Sequence, residues 1–175
     1  PIPSKATNNK IGNAIPDFTM GLNTQLSYKG LGLYMLWDAQ VGGDIYNFVQ
    51  QLAVQRNTAA VTDQSGKPDY KKKPLRYYQQ FNETSSRYIY DGSYLKLREL
   101  SVTYELGSSK LARLNLENLV DQIRIGVQGR NLLTFTDYPG FDPEVGARGD
   151  AAELRIESFN YPNYRSVTGS IEIRF

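Results

Sequence analysis

The sequence predicts an all-β fold of long antiparallel strands, patterned as the wall of a transmembrane barrel. Three observations carry that prediction. In the last twelve residues, Tyr164-Arg-Ser-Val-Thr-Gly-Ser-Ile-Glu-Ile-Arg-Phe175, one side of an extended strand holds Val167, Gly169, Ile171, Ile173 and Phe175. The other side holds Ser166, Thr168, Ser170, Glu172 and Arg174, because strand side chains alternate with period two. An apolar face, a face too polar for a dry interior and a terminal aromatic match the closing strand of such a barrel. Alternating segments also run to about 12 residues, longer than the usual 5 to 6 of soluble sheets and enough for a tilted crossing of about 9 to 11. Finally, the connections between these segments alternate short and long.

Composition narrows the chemistry. The 175 residues include no Cys, so no disulfide framework, thiolate metal site or thiol nucleophile is available. They include no His, which removes the commonest general base and transition-metal ligand and points away from an enzyme; no cofactor is expected. The net charge of +2 arises from Lys and Arg scattered among nearly as many acids, which argues against nucleic acid as a partner. Thirteen Tyr suit strands and the aromatic girdles between lipid and water. No run of about 18 apolar residues exists, so no helix spans a membrane. A spanning strand escapes that test because it is apolar only at every second position. Pro1 to Lys10 carries no apolar signal core, so an export address is expected on residues outside this chain.

Residues 1–17, rich in Pro, Asn, Gly and Lys, read as an irregular extracellular segment. A strand follows over about 18–29, with Phe18, Met20, Leu22, Leu26 and Tyr28 on its apolar side. Lys29-Gly30 makes a tight reversal, and the return strand over about 31–41 carries Leu31, Leu33, Met35, Trp37, Ala39 and Val41 on one face. Residues 42–92 form a long loop. Within it Asp44 to Gln55 opens on a capping Asp and spaces Ile45, Phe48, Val49 and Leu52 as in a short amphipathic helix. The rest of that loop, with Pro68, Lys71-Lys-Lys73 and Pro74, reads as solvated. The strand over about 93–106 has Leu100, Val102, Tyr104 and Leu106 on one parity but Leu95 and Leu97 on the other. A β-bulge, or an extension of the strand beyond the membrane, accounts for that slip. Gly107 to Val120 is a connection in which Ser108-Ser109 can cap one helical turn. The strand over about 121–135 sets Ile123, Ile125, Val127, Leu133 and Phe135 against Gln122, Arg124, Gln128, Arg130 and Thr134. Loop 136–163 leads to the final strand, about 164–175.

Five strands give four connections of about 1 to 3, 50, 14 and 28 residues. In an antiparallel meander the two long ones share one end, the loop asymmetry of outer-membrane barrels. The opposite faces carry Gln25, Glu99, Glu105, Arg124, Gln128, Arg130, Glu172 and Arg174, which suit a wet lumen or a plug interface and are costly in a dry core.

Several stretches, in this order along the chain, resemble the C-terminal part of a SusC/RagA-type TonB-dependent transporter. They are Ile11-Gly-Asn-Ala-Ile-Pro-Asp-Phe-Thr-Met-Gly-Leu-Asn23, Ser27-Tyr-Lys-Gly30, Gly42-Gly-Asp-Ile-Tyr-Asn47, Asp91-Gly-Ser-Tyr-Leu-Lys-Leu-Arg98, Val127-Gln-Gly-Arg-Asn-Leu-Leu-Thr134, Gly140-Phe-Asp-Pro-Glu144 and Gly169-Ser-Ile-Glu-Ile-Arg-Phe175. The resemblance implies the last five strands of a 22-stranded barrel in the outer membrane, its lumen filled by an N-terminal plug that is not in this sequence. It also implies a SusD-like surface lipoprotein over the long loops, energy from TonB, and import of glycans or peptides. The remaining barrel strands, the plug and outer-membrane lipid are then the partners. In proteins of this kind a terminal aromatic strand serves as the assembly signal, which assigns that role to Phe175, with a plain lipid anchor as the simpler role.

Loop 136–163 holds the candidate contact residues Tyr138, Phe141, Asp142, Glu144, Arg148 and Tyr161, along with Asp150, Glu153 and Phe159. Their rings can stack on a sugar or peptide while acids and Arg bind its polar groups; packing against neighbours or the lipoprotein is the plainer expectation. The acids lack the spacing of an EF-hand, which leaves calcium a minor alternative. Arg148-Gly149-Asp150 spells an adhesion tripeptide and Asn82-Glu83-Thr84 a glycosylation acceptor, both patterns that arise readily by chance. Lys71 to Lys73 can touch anionic lipopolysaccharide or simply be solvated. Trp37 and Tyr28 fit girdle or lipid-facing positions. Two competing readings are an adhesive or structural barrel fragment without transport, and a soluble carbohydrate-binding β-sandwich.

Overall fold

The computed structural model describes residues 9–79, 85–116, 118–144 and 155–175. The strands are β1 (Pro16–Tyr28), β2 (Leu31–Gly42), β3 (Asp44–Asn47), β4 (Ile89–Asp91), β5 (Tyr94–Leu106), β6 (Gln122–Phe135), β7 (Ile156–Glu157) and β8 (Ser166–Arg174). The helices are α1 (Phe48–Gln55), α2 (Leu75–Gln79) and α3 (Ser108–Leu111). Among the described residues no helix is long and apolar enough to cross a membrane, which leaves strands untouched. The chain divides into two compact units, one built on the large sheet and one on the segments Pro1–Asp17, Val41–Ser93 and Asp137–Pro162.

The sheet unit is five-stranded, in the order β1-β2-β5-β6-β8. Lys29 and Gly30 both adopt positive φ, 48° and 89°, the conformation a two-residue hairpin turn needs to match strand twist. Cross-strand partners share a face. Leu33 pairs with Val102, Val102 with Val127, and Val127 with Gly169. Tyr104 pairs with Ile125 and Ile125 with Ile171. Leu33, Val102, Ile125 and Ile171 therefore line one continuous surface, and no interior encloses it: Val102 is 41% exposed, Ile125 45% and Ile171 72%. The opposite surface carries Tyr34, Ser101, Gln128 and Thr168 in one row and Glu105, Arg124 and Glu172 in another.

The phase slip in β5 has a definite place. Met35 pairs with Leu100 but Trp37 with Leu97, so Arg98 is the extra residue, and the β5–β6 ladder shifts at the same point. Two residues then oppose one, which returns Leu95 and Leu97 to the face of Leu100 and Val102. On β6 the shift is taken up at Asn131 and Leu132, with Asn131 at φ 51°.

Because the register is antiparallel, β2 ends, β5 begins, β6 ends and β8 begins at one end of the sheet. Both long connections leave from that end. The turn at Lys29-Gly30 and the connection through α3 lie at the other. The chain enters α3 from Gly107 with no side-chain cap, so neither Ser108 nor Ser109 caps this turn.

In the other unit the long connections fold. Strand β3 pairs antiparallel with β4 and parallel with β7. Ile45 and Tyr138 form one core cluster with Tyr90 against it, and Val54, Tyr78 and Tyr88 form a second with Tyr46, Ala59 and Tyr77. Six of these nine residues are tyrosines at irregular spacing, so no periodicity announces the clusters. The helix predicted from Asp44 starts later: Asp44 to Asn47 is strand, and Asn47 caps α1 by accepting from the Gln50 N–H at 2.7 Å. Asp44 is diverted because its N–H donates to the Asn13 carbonyl and its carboxylate accepts from the Asn13 N–H, both at 2.7 Å.

Candidate functional site

Among the described residues, two surfaces offer places to meet a solute. The first is the polar face of the sheet, where a trough of about 580 Å³ is lined by Gln25, Ser27, Tyr34, Ser101, Thr103 and Arg124, among others. Gly32 is part of its lining, and a Cβ there would strike the Thr103 hydroxyl. Arg124 bridges Glu105 at 3.0 Å and Glu172 at 3.6 Å, and Arg130 lies 3.7 Å from Glu99. Toward the loop end, Arg98 Nε donates to Asp38 at 3.0 Å, Tyr94 donates its hydroxyl to the same carboxylate at 3.3 Å, and the Lys96 ammonium lies 5.3 Å from the Tyr94 ring. The more exposed pairs at Arg124 and Arg130 add little stability. Their effect is a wall of fixed, compensated charges that stays wetted and offers hydrogen bonds to a polar cargo or a filling domain.

The second surface belongs to the loop unit and takes in the residues that the sequence nominates for contact. Among the described ones, Tyr138 and Phe141 both reach Glu157, and Asp142 bonds Glu144. Tyr138 is buried, its ring edge-on to Tyr90 with centroids 6.1 Å apart, and its hydroxyl donates to Glu157. Burial first, then the Glu157 bond and charge, hold the Tyr138 pKa well above the ordinary tyrosine value. Asp142 accepts from the Glu144 N–H at 3.0 Å, a local turn that occupies one carboxylate oxygen. Phe141 is exposed, and its N–H donates to Glu157 at 3.3 Å. Tyr161 is 91% exposed, and Phe159 is exposed as well. Arg148, with the Arg148-Gly149-Asp150 tripeptide, Glu153 and the Asn82-Glu83-Thr84 pattern, lies outside the described residues. Among the described residues no group of three or more acids is arranged to hold a metal ion.

The sequence alone does not single out Arg155 and Glu157. Arg155, at φ 63°, donates to the carbonyls of Pro143 at 3.0 Å, Gly43 at 2.9 Å and Gly92 at 3.2 Å, which ties three distant segments together. Glu157 is almost wholly buried and takes bonds from both Tyr138 and Phe141. Beside it a cleft of about 250 Å³ is lined by Asn47, Gln50, Pro139 and Phe141. No motif marks these two residues, because their partners are remote in sequence.

No family model matches the chain. TonB-dependent receptor P3 of Formosa agariphila is 36% identical over 180 residues, which cover 98% of this chain and 18% of that receptor. TonB-dependent receptor P39 of the same organism is 24% identical over 176 residues, or 94% of this chain and 17% of the receptor. The chain thus spans about a sixth of the length of these relatives. Among solved structures, the RagAB peptide importer in its open-open state matches with a TM-score of 0.65 at 24% identity, covering 93% of this chain and 17% of the other. Its closed-closed state matches equally well, with a TM-score of 0.65 over 91% of this chain.

Proposed function

From its homology to TonB-dependent receptors, we propose that this chain supplies five adjacent wall strands of an outer-membrane transporter. The observation that carries the reading is the division of one sheet into an exposed apolar face and an ion-paired polar face, with both long connections leaving from one end. Lipid covers Leu33, Val102, Ile125 and Ile171; water or a plug fills the trough beside Arg124. β1 and β8 each have one neighbour in the five-stranded order, and an unpaired strand edge is a template for another strand. The remaining strands of a barrel, 22 in all, satisfy both edges.

The loop unit then faces the cell exterior. There a SusD-like lipoprotein closes over it, with Phe141, Phe159 and Tyr161 as exposed contact points, and TonB powers the import of glycans or peptides through the rest of the polypeptide. The likeness in fold to the RagAB peptide importer supports peptides over glycans. Phe175, 85% exposed, is the assembly signal. Replacing Ile125 or Ile173 by Arg tests the reading: near the bilayer midplane either change is expected to cost about 2 to 4 kcal/mol of membrane insertion. Gln128→Ala is expected to leave the amount of assembled protein in the outer membrane nearly unchanged. Equal tolerance of Ile125→Arg and Gln128→Ala would overturn the assignment of faces.

A further inference from the structure

The long connection between β2 and β5 carries a concentration of charge that a barrel wall does not explain. Between residues 56 and 76 stand six cations, Arg56, Lys67, Lys71, Lys72, Lys73 and Arg76, against two carboxylates, Asp63 and Asp69. That excess of four positive charges compares with +2 for the entire chain. Both carboxylates are occupied locally: Asp63 accepts from the Ser65 N–H and hydroxyl, each at 2.8 Å, and Asp69 pairs with Lys72 at 2.8 Å. Lys71 and Lys73 rest on rings instead, 5.6 Å from the Tyr70 centroid and 5.5 Å from that of Tyr77.

The ridge is held in place. Pro68 and Pro74 bracket it and fix φ at their own positions. The Lys73 N–H donates to the Gln64 side chain at 3.0 Å, and Gln64 donates to the Tyr78 hydroxyl at 3.1 Å. Tyr78 belongs to the buried cluster with Val54 and Tyr88. The backbone that carries these lysines is therefore anchored before any ligand arrives, which lowers the ordering cost of binding. Tyr70 is 80% exposed and offers a flat ring beside the charges. An exposed ring beside the Lys71 ammonium, with Lys72 and Lys73 next in the chain, fits a saccharide that carries phosphates, its C–H face on the ring and its anions on the lysines.

We propose that Lys71, Lys72 and Lys73, with Tyr70 and Arg76, form a docking surface for the phosphorylated sugar headgroup of an anionic outer-leaflet glycolipid. This rests on the membrane reading above, which places that headgroup layer around the barrel.

The test uses the intact polypeptide that contains these residues, purified in detergent, with lipopolysaccharide, enzymatically dephosphorylated lipopolysaccharide and polygalacturonate as probes. The native protein is expected to bind lipopolysaccharide and to lose that binding as salt rises. The K71Q/K72Q/K73Q variant is expected to bind about tenfold to a hundredfold more weakly, given the contribution of each basic residue near an anionic surface. Tyr70→Ala is expected to weaken binding without changing the salt dependence. Equal binding by the triple variant overturns the proposal, as does undiminished binding of the dephosphorylated form. Polygalacturonate bound as tightly as lipopolysaccharide also overturns it, in favour of a free acidic polysaccharide. Heat-modifiable migration of the triple variant on gels reports barrel assembly separately, so a failure of the membrane reading is distinguishable from a failure of this one.

Discussion

Asn131 shows how one backbone conformation allows a long strand to change register. At φ 51° it occupies the left-handed region that Asn tolerates and β-branched residues resist, and its side-chain amide donates to the Tyr164 carbonyl at 2.9 Å. Asn131→Val is expected to cost about 1 to 3 kcal/mol, while Asn131→Gly keeps the backbone and loses only the side-chain bond; urea titration of the detergent-bound protein measures both. Tyr138 gives a second residue-scale expectation. Its folded pKa lies above the ordinary value of 10.0, so folding favours the protonated ring. That contribution is complete below pH 10 and is lost as pH rises beyond it. Thermal unfolding of the native protein is therefore expected to fall in temperature above pH 10. Tyr138→Phe flattens that alkaline limb and lowers stability at neutral pH by about 1 to 3 kcal/mol, because the buried Glu157 loses a donor.

Among the elements, β5 depends most on one insertion. The extra residue Arg98 allows Leu95 and Leu97 to share a face with Leu100 and Val102. Deleting Arg98 is expected to rotate Tyr94, Lys96 and their neighbours to the opposite face and to abolish assembly in the membrane, because a one-residue slip exchanges the two faces. Arg98→Ala keeps the count and removes the guanidinium that pairs with Asp38 and lies 5.9 Å from the Tyr94 ring centroid, a loss of about 1 to 3 kcal/mol for a largely covered charged pair. A comparison of outer-membrane levels for the deletion and the substitution separates register from charge. The same element shows where alternation stops being informative. The parity change near Leu97 is visible in the sequence, but the extra residue is identified only when Trp37 and Leu133 are found opposite Leu97.

For the molecule as a whole, the consequence is an exposed apolar face on a sheet whose outermost strands each have one neighbour. Without detergent, such a sheet is expected to aggregate through its face and its edges; light scattering with and without micelles measures this. Phe175→Ala is expected to slow assembly while leaving the stability of already inserted protein within about 1 kcal/mol, since surface truncations away from packed features cost little. Pulse-labelled conversion to the heat-modifiable form follows that rate.

The strand segments, the Lys29-Gly30 turn and the two faces of the sheet are legible in the chain itself, because side-chain alternation and turn conformation are local and repeat every two residues. Homology then adds a family to that pattern. The loop unit was decided elsewhere. Tyr138 turns inward, Asn47 rather than Asp44 caps α1, Arg155 gathers three carbonyls, and Glu157 is sealed between Tyr138 and Phe141. Each of these depends on a partner between 3 and 112 positions away, and for the remote ones only the tertiary fold supplies the neighbour that determines whether a polar group is buried or left in water.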